Sequence, residues 1–520
     1  MRLRRTHPFR ANFALSGLLA LCTFVSAEAA DSRVPDAAER RDVAAVRTLL
    51  KGRADVNGRQ PDGATALAWA AHWDDRELAD VLLKSGADVN GADDHGVTPL
   101  ALACANGSAA MASRLLAAGA NPNAARSTGE TPLMTAARTG SVELVRALIA
   151  RGAAIDANGT ASKQTALMWA AAESHPDVVR TLVEAGATVG AKSAGGFTPL
   201  LFAARQGDAD SARILLDAGA DVNTAAPDGN SALTIATASG REPVALLLLE
   251  RGADANSAGA GFTALHAAVP KDMRRAIAAL LAHGADPNVR LRTAPASLFG
   301  PARGAGSEVI TEVQAAKPRA AAAGAARPRG ERGMAAAGSF AGATPFWLAA
   351  KNVNVDIMRM LAEHGADPTL ANAEGTTPLM VAAGLTQVQG PRARRGDVSQ
   401  FYSNWGEADS LQAVDYLLGL GADVNGANQA RQTPLHGAAY MGSNALVQRL
   451  IERGATIDIQ DAQGQTPYRI AEGHLNVAAQ GVTEWPKTAA LLKTLGANTS
   501  LGVDGRTMLR RYVNTASSPQ

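Results

Sequence analysis

The chain has 520 residues, 47% hydrophobic but only 4% aromatic, with a formal net charge of +2 and two cysteines. A charge so close to zero gives no ground for a nucleic-acid partner. Two cysteines, Cys22 and Cys104, cannot frame a disulfide-stapled fold or a Cys-x-x-Cys metal site.

The first segment, Met1–Ala29, has Arg2, Arg4, Arg5 and Arg10 ahead of the apolar run Phe13–Val25, followed by Ala27-Glu28-Ala29. Basic residues, an apolar run and small residues at the two positions a signal peptidase reads predict a secretory signal, with the mature protein starting near Ala30. A membrane span needs about 20 apolar residues, and the run supplies 13. The alternative is a lipoprotein anchored through Cys22, but Leu21 is large for the residue before a lipidated cysteine and the apolar run continues past it. Removing the signal takes four arginines and Glu28 and moves the net charge from +2 to −1. The expected compartment is outside the inner membrane, in the periplasm, where Cys104 would have no intrachain partner. Its place in the apolar stretch Pro99–Ala105 predicts a small buried hydrophobe.

Residues 33–59 carry a short helix start at Val34-Pro35-Asp36-Ala37-Ala38 and a second helix at Val43–Leu50, with Glu39, Arg40, Arg41, Asp42 and Arg47 as a polar outer face. Arg53 stands where later units have glycine, so the helix is expected to end one residue early, at Gly52. A pattern then begins that is clearest in Gly196–Asn223. Thr198 can cap a helix, Pro199 fills its first position, Leu200, Leu201, Ala203 and Ala204 give it an apolar face, and Gln206-Gly207 ends it. Ala209–Asp217 forms a second amphipathic helix, Gly219 stops it, and Ala220–Asn223 extends away as half of a hairpin.

The pattern recurs in phase. Its opening residue returns at Thr65, Thr98, Thr131, Thr165, Thr198, Ser231, Thr263, Thr344, Thr377, Thr433 and Thr466, mostly at steps of 32 to 34. A Gly-Ala pair returns at Gly86, Gly119, Gly152, Gly186, Gly219, Gly252, Gly284, Gly365, Gly421, Gly454 and Gly496, usually 21 residues later. This unit resembles an ankyrin repeat, and the resemblance covers about Asp36–Asn498. It implies an all-α solenoid of about 11 full repeats behind a truncated N-terminal cap: helix pairs with β-hairpin fingers, and a concave face that binds protein. Residues 60–290 hold seven repeats and 339–500 four. The family's frequent histidine falls at His266 and His436, as a hydrogen-bonding structural residue rather than a metal ligand.

Two insertions interrupt the phase. Residues 291–341 are rich in Ala, Gly, Pro and Arg and lack both markers, and Arg290–Gly342 carries a net +5. This segment lengthens a finger loop and reads either as a disordered spacer or as a basic arm for an acidic surface. The second insertion, about 385–408, brings Phe401, Tyr402 and Trp405 together behind Gly390–Arg395. Such residues dominate interfaces, or they fold back over an apolar edge. A lengthened turn, His474–Pro486, separates the last two helices, and 501–520 reads as a frayed tail.

Chemistry is sparse. Gly259–Ala264 matches a dinucleotide fingerprint only on paper, because it falls in phase with a finger turn. No catalytic, cofactor or metal residue is assigned, and no segment is left over for a catalytic domain. The expected function is a non-catalytic, monomeric protein-binding scaffold; the alternative is an accessory hydrolase or redox protein whose site the inserts build. Candidate partner-binding residues, by phase, are His72, Trp73, His95, Arg138, Phe197, Arg205, Gln206, Lys351, Asn352, Tyr440, Met441 and the insert's Phe401, Tyr402 and Trp405. Trp73, Phe197 and Tyr440 are the expected exposed anchors, and Leu215 and Leu216 the expected mid-stack core pair. Trp69 and Trp169 are expected between repeats.

Overall fold

The computed structural model describes residues 31–159, 161–292, 340–385, 406–476, 481–504 and 507, and every structural statement below concerns these. The expectations for Met1–Ala29, for most of the basic insert and for Phe401, Tyr402 and Trp405 lie outside the described residues.

The helices form because each unit repeats the same local chemistry. Thr198 is extended (φ −92°, ψ 164°), its hydroxyl accepts the Leu201 N–H at 3.4 Å, and Pro199 opens the helix Pro199–Gln206. Gly207 ends that helix at φ +87°, and Asp208 caps the next one, Ala209–Asp217, by accepting from Ser211 N. The same Thr or Ser hydroxyl caps the helices Ala66–His72, Pro99–Ala105, Ala166–Ala172, Ala232–Ala238 and Pro345–Lys351. First helices stack on first helices of neighbouring units and second helices on second helices. Alanines such as Ala70, Ala103, Ala136, Ala170 and Ala203, all 0% exposed, let the first helices approach closely. The core is therefore one continuous ribbon along the stack. Cys104 lies inside it, and burial pushes its thiol up to about 12.

Several expectations need correction. The fingers are not β-hairpins: they are turns, with isolated bridges at Arg59–Thr65 and Ala225–Ser231 among the described residues. What replaces the ladder is a side-chain stitch. Asn123 Nδ2 donates to Gly152 O at 3.0 Å while its Oδ1 accepts from Ala154 N at 2.7 Å, and Asn57, Asn90, Asn223, Asn256 and Asn425 repeat this double bond one unit further along. The one β-ladder among the described residues lies in the lengthened last turn, where His474–Asn476 pairs antiparallel with Gly481–Thr483.

The second correction concerns the cap. Its second helix, Val43–Lys51, ends in phase with the others, because Gly52 keeps φ −74° and Arg53 itself takes the left-handed conformation, φ +60°. The third concerns Leu216, which is half-buried while Leu215 is 0% exposed, so the two do not contribute equally. The fourth concerns Lys351, which the repeat phase places on an open surface and the fold buries to 4% exposure.

The solenoid crosses the first insertion without a break. Asn288 makes the same stitch to Gly365 O and Asp367 N, both at 2.8 Å, and Leu291 N–H donates to Ala343 O. Arg274 bridges Asp272 and Asp356 on the two sides. His266 is 0% exposed: its Nδ1 accepts from Thr263 N, and its Nε2 lies 3.2 Å from Ala343 O of the next unit. His436 does the same to Gln465 O and Trp347 Nε1 to Thr376 O, so this position ties one unit to the next whichever ring it carries.

Candidate functional site

In three units the turn before the capping residue touches the first helix that follows it, and these paired features form one strip along the stack. In the first full unit Trp69 Nε1 donates to Gln60 Oε1 at 2.7 Å, and Gln60 Nε2 donates in turn to Asp36 Oδ1 and Glu39 Oε2. Hydrogen bonds from Gln60 and Ser32 hold the Asp36 carboxyl below its ordinary range. Trp73 stacks on Trp69 with ring centroids 6.2 Å apart, His72 meets Trp73 edge-on at 4.6 Å, and the Arg41 guanidinium sits 5.9 Å from the Trp73 ring. Trp73 is nevertheless 41% exposed. The result is a fixed aromatic platform, since each ring is held by a partner before any ligand arrives.

Two units on, Glu130 gathers three donors: Arg126 at 3.2 Å, Thr135 Oγ1 at 2.9 Å and, more loosely, Arg138 at 3.9 Å. Arg138 is exposed. Two further units on, Phe197 packs on Phe202 at 5.6 Å, and the Arg205 guanidinium lies over both rings, 5.7 and 5.3 Å from their centroids. Phe197 is half-buried, so it supports Arg205 rather than projecting as a free anchor. His95 is exposed at its finger tip, with Asp93 accepting its backbone N–H. Trp69 and Trp169 are both half-buried.

The C-terminal candidates divide. Lys351, placed by phase on the open strip, is 4% exposed: Phe340 covers its ammonium at 5.7 Å, and burial pushes it down to about 8. Asn352 beside it is half-buried. Tyr440 is half-buried, with its phenol pushed up by desolvation and then by Asp461. Met441 stays 37% exposed and packs where a Cβ on Gly384 would stand. The strip is thus open and charged in its N-terminal part and closed around Lys351.

Sequence reasoning placed the helix ends and finger tips on this strip but not their couplings. It missed Arg41, Gln60, Glu130 and Phe202; a signal was present for two of the couplings in the shared eight-residue spacing of Glu130 and Arg138 and of Phe197 and Arg205, whereas Gln60 and Trp69 stand nine apart and out of that phase. Among the described residues, no group of three or more His, Cys, Asp or Glu side chains is placed to hold a metal ion, and no helix is long and apolar enough to cross a membrane.

Comparison with known proteins matches residues 36–126, 114–193 and 200–290 to ankyrin repeats in sets of three copies, 341–373 to a single ankyrin repeat and 417–471 to ankyrin repeats in many copies. The chain is similar to the E3 ubiquitin-protein ligase Ufd4 of Drosophila melanogaster, 40% identical over 17% of this chain and 4% of that protein. It is also similar to the mouse ankyrin repeat and SOCS box protein 16, 31% identical over 28% and 27% of the two chains, and to human palmitoyltransferase ZDHHC13, 27% identical over 25% and 22%. The chain therefore spans from 4% to 27% of the length of these curated relatives. Among solved structures it resembles the human ASB11 ankyrin repeat domain, with 32% identity, a TM-score of 0.38, and coverage of 42% of this chain and 96% of that one.

Proposed function

We propose that this chain, which belongs to the ankyrin repeat family, is a non-catalytic scaffold that holds a protein partner along the strip from Trp73 to Arg205, and that it works in the periplasm after a signal at Met1–Ala29 is removed. The observation that carries the reading is the preorganised row of side chains: a Trp69–Trp73 stack held by Gln60 and Arg41, and Arg205 held over Phe197 and Phe202. Aromatic and arginine side chains fixed in place before binding lose little conformational entropy and make the strongest interface contacts. The ligase and transferase activities in the relatives' names belong to those proteins, and nothing of them is carried to this chain.

The test is capture from periplasmic extract with the mature chain as bait, beside Trp73→Ala. A stoichiometric protein lost with the variant supports the scaffold. Capture of nothing by the wild-type chain, or turnover of a substrate by it, overturns the scaffold. N-terminal sequencing of the exported protein tests the signal: a start near Ala30 supports it, and retention of Met1 in the cytoplasmic fraction overturns it.

A further inference from the structure

The geometry points to an extended acidic segment of the partner protein as the occupant of this strip, read by Arg138 and Arg205; this rests on the scaffold reading above. At the last-turn position of the first helix the chain alternates His72, Ala105, Arg138, Ala172, Arg205, Ala238, so that polar or cationic residues alternate with methyl-sized ones, unit by unit. The alanines leave room for a backbone to pass between the long side chains. Arg205 makes no ion pair among the described residues, and its guanidinium lies over two phenyl rings that offer no carboxylate, so its fork of N–H donors is available to one. Arg138 reaches Glu130 only at 3.9 Å, while Arg126 and Thr135 already hold that carboxylate at shorter range, so Arg138 too can turn to an incoming anion. Glu173, exposed between the two arginines, pairs with neither.

The spacing selects the shape of the ligand. Packed helices lie about 8–10 Å apart, so two units separate the arginines by roughly 16–20 Å. An extended strand rises about 3.3 Å per residue, which sets the two carboxylates about five or six residues apart.

The probe is a fluorescein-labelled dodecapeptide with two Glu-Glu pairs at that separation, beside its Gln-Gln counterpart and an oligothymidylate of the same charge, each titrated into the mature full-length chain. Wild-type protein is expected to favour the Glu peptide over the Gln peptide at least tenfold. Arg138→Gln and Arg205→Gln should each weaken it by about tenfold, the scale of a hydrogen bond to a charged group. Raising salt from 0.05 to 0.5 M should shrink the preference, as expected for exposed charges. Unchanged melting of both variants checks that the fold is kept. Equal affinity for Glu and Gln peptides, or no loss in either variant, overturns the inference, and tighter binding of the oligothymidylate reassigns the strip to nucleic acid. If a captured partner stays bound to the double variant, the acidic-segment inference fails while the scaffold stands; the scaffold itself fails if the wild-type chain captures nothing or turns over a substrate.

Discussion

Arg53 shows what a single backbone angle is worth in this chain. In the eleven Gly-Ala pairs the glycine takes φ between +78° and +98°, and a Cβ built on any of them meets nothing within 4 Å. The demand is therefore conformational and not one of space. Arg53 occupies the same place with a side chain, at φ +60°. A left-handed residue with a Cβ costs about 1–2 kcal/mol, so Arg53→Gly is expected to stabilise the N-terminal cap by about that amount and Gly219→Ala to destabilise mid-stack by the same, both read from urea midpoints. His266 supplies a pH prediction. Desolvation on burial lowers its imidazole from 6.5 to about 4, outweighing the hydrogen bond to Ala343 O that favours the charged ring. The unfolded chain therefore takes up the proton first as pH falls. The stability that neutral His266 contributes is complete above pH 6.5 and is lost between 6.5 and 4. Measured against His266→Gln, the wild type should lose on the order of 3 kcal/mol more over that interval. A constant difference between the two proteins would show that His266 does not titrate on unfolding.

At the scale of the element, the finger stitch makes predictions in both directions. Asn123→Ala removes two hydrogen bonds to the next unit, to Gly152 O and from Ala154 N, and should cost about 1–2 kcal/mol. Gly190 stands at the same position one unit past Asp156, has ordinary φ, and leaves its would-be Cβ nothing within 4 Å. Gly190→Asn should add the missing rung and raise stability by about 1 kcal/mol, with Gly219 O and Asp221 N as the new partners. In the second helices, Leu215→Ala should cost about 2–5 kcal/mol and Leu216→Ala clearly less, since only the first is fully buried. The threonine caps, proline starts and glycine stops were legible in the sequence because each answers a local backbone need. The fingers were misread because the asparagine stitch satisfies their backbone through a neighbouring unit, which no single repeat records. Lys351 was placed on the surface for a like reason. The same position is open at Arg138, whereas here Lys351 is buried with Phe340 packed over its ammonium.

For the whole molecule, the bonds that cross the first insertion decide what that segment does to the stack. Asn288, His266, Arg274 and Leu291 hold the two sides together directly. Arg292 belongs to this seam as well, since its backbone N–H donates to Gly261 O and its side chain to Ala258 O. Deleting residues 293–336 should therefore leave melting and helix content nearly unchanged, because shortening a closed loop changes its entropy by only about 0.6 kcal/mol per halving. Splitting of the melt into two transitions would show instead that the insert holds the halves together. Among the described residues the full stitch is missing at four unit boundaries: Asp156 and Asp458 keep its accepting half, while Gly190 and Thr369 make neither half. Beyond Thr369, Trp347 supplies a substitute through Thr376 O, but beyond Gly190 the corresponding ring position is Met168, which donates nothing. Tethered at both ends and stretched, the protein should therefore not lengthen evenly. Its first rip, in an optical trap, should release the units on one side of Gly190 as a block, and Gly190→Asn should move that rip to higher force.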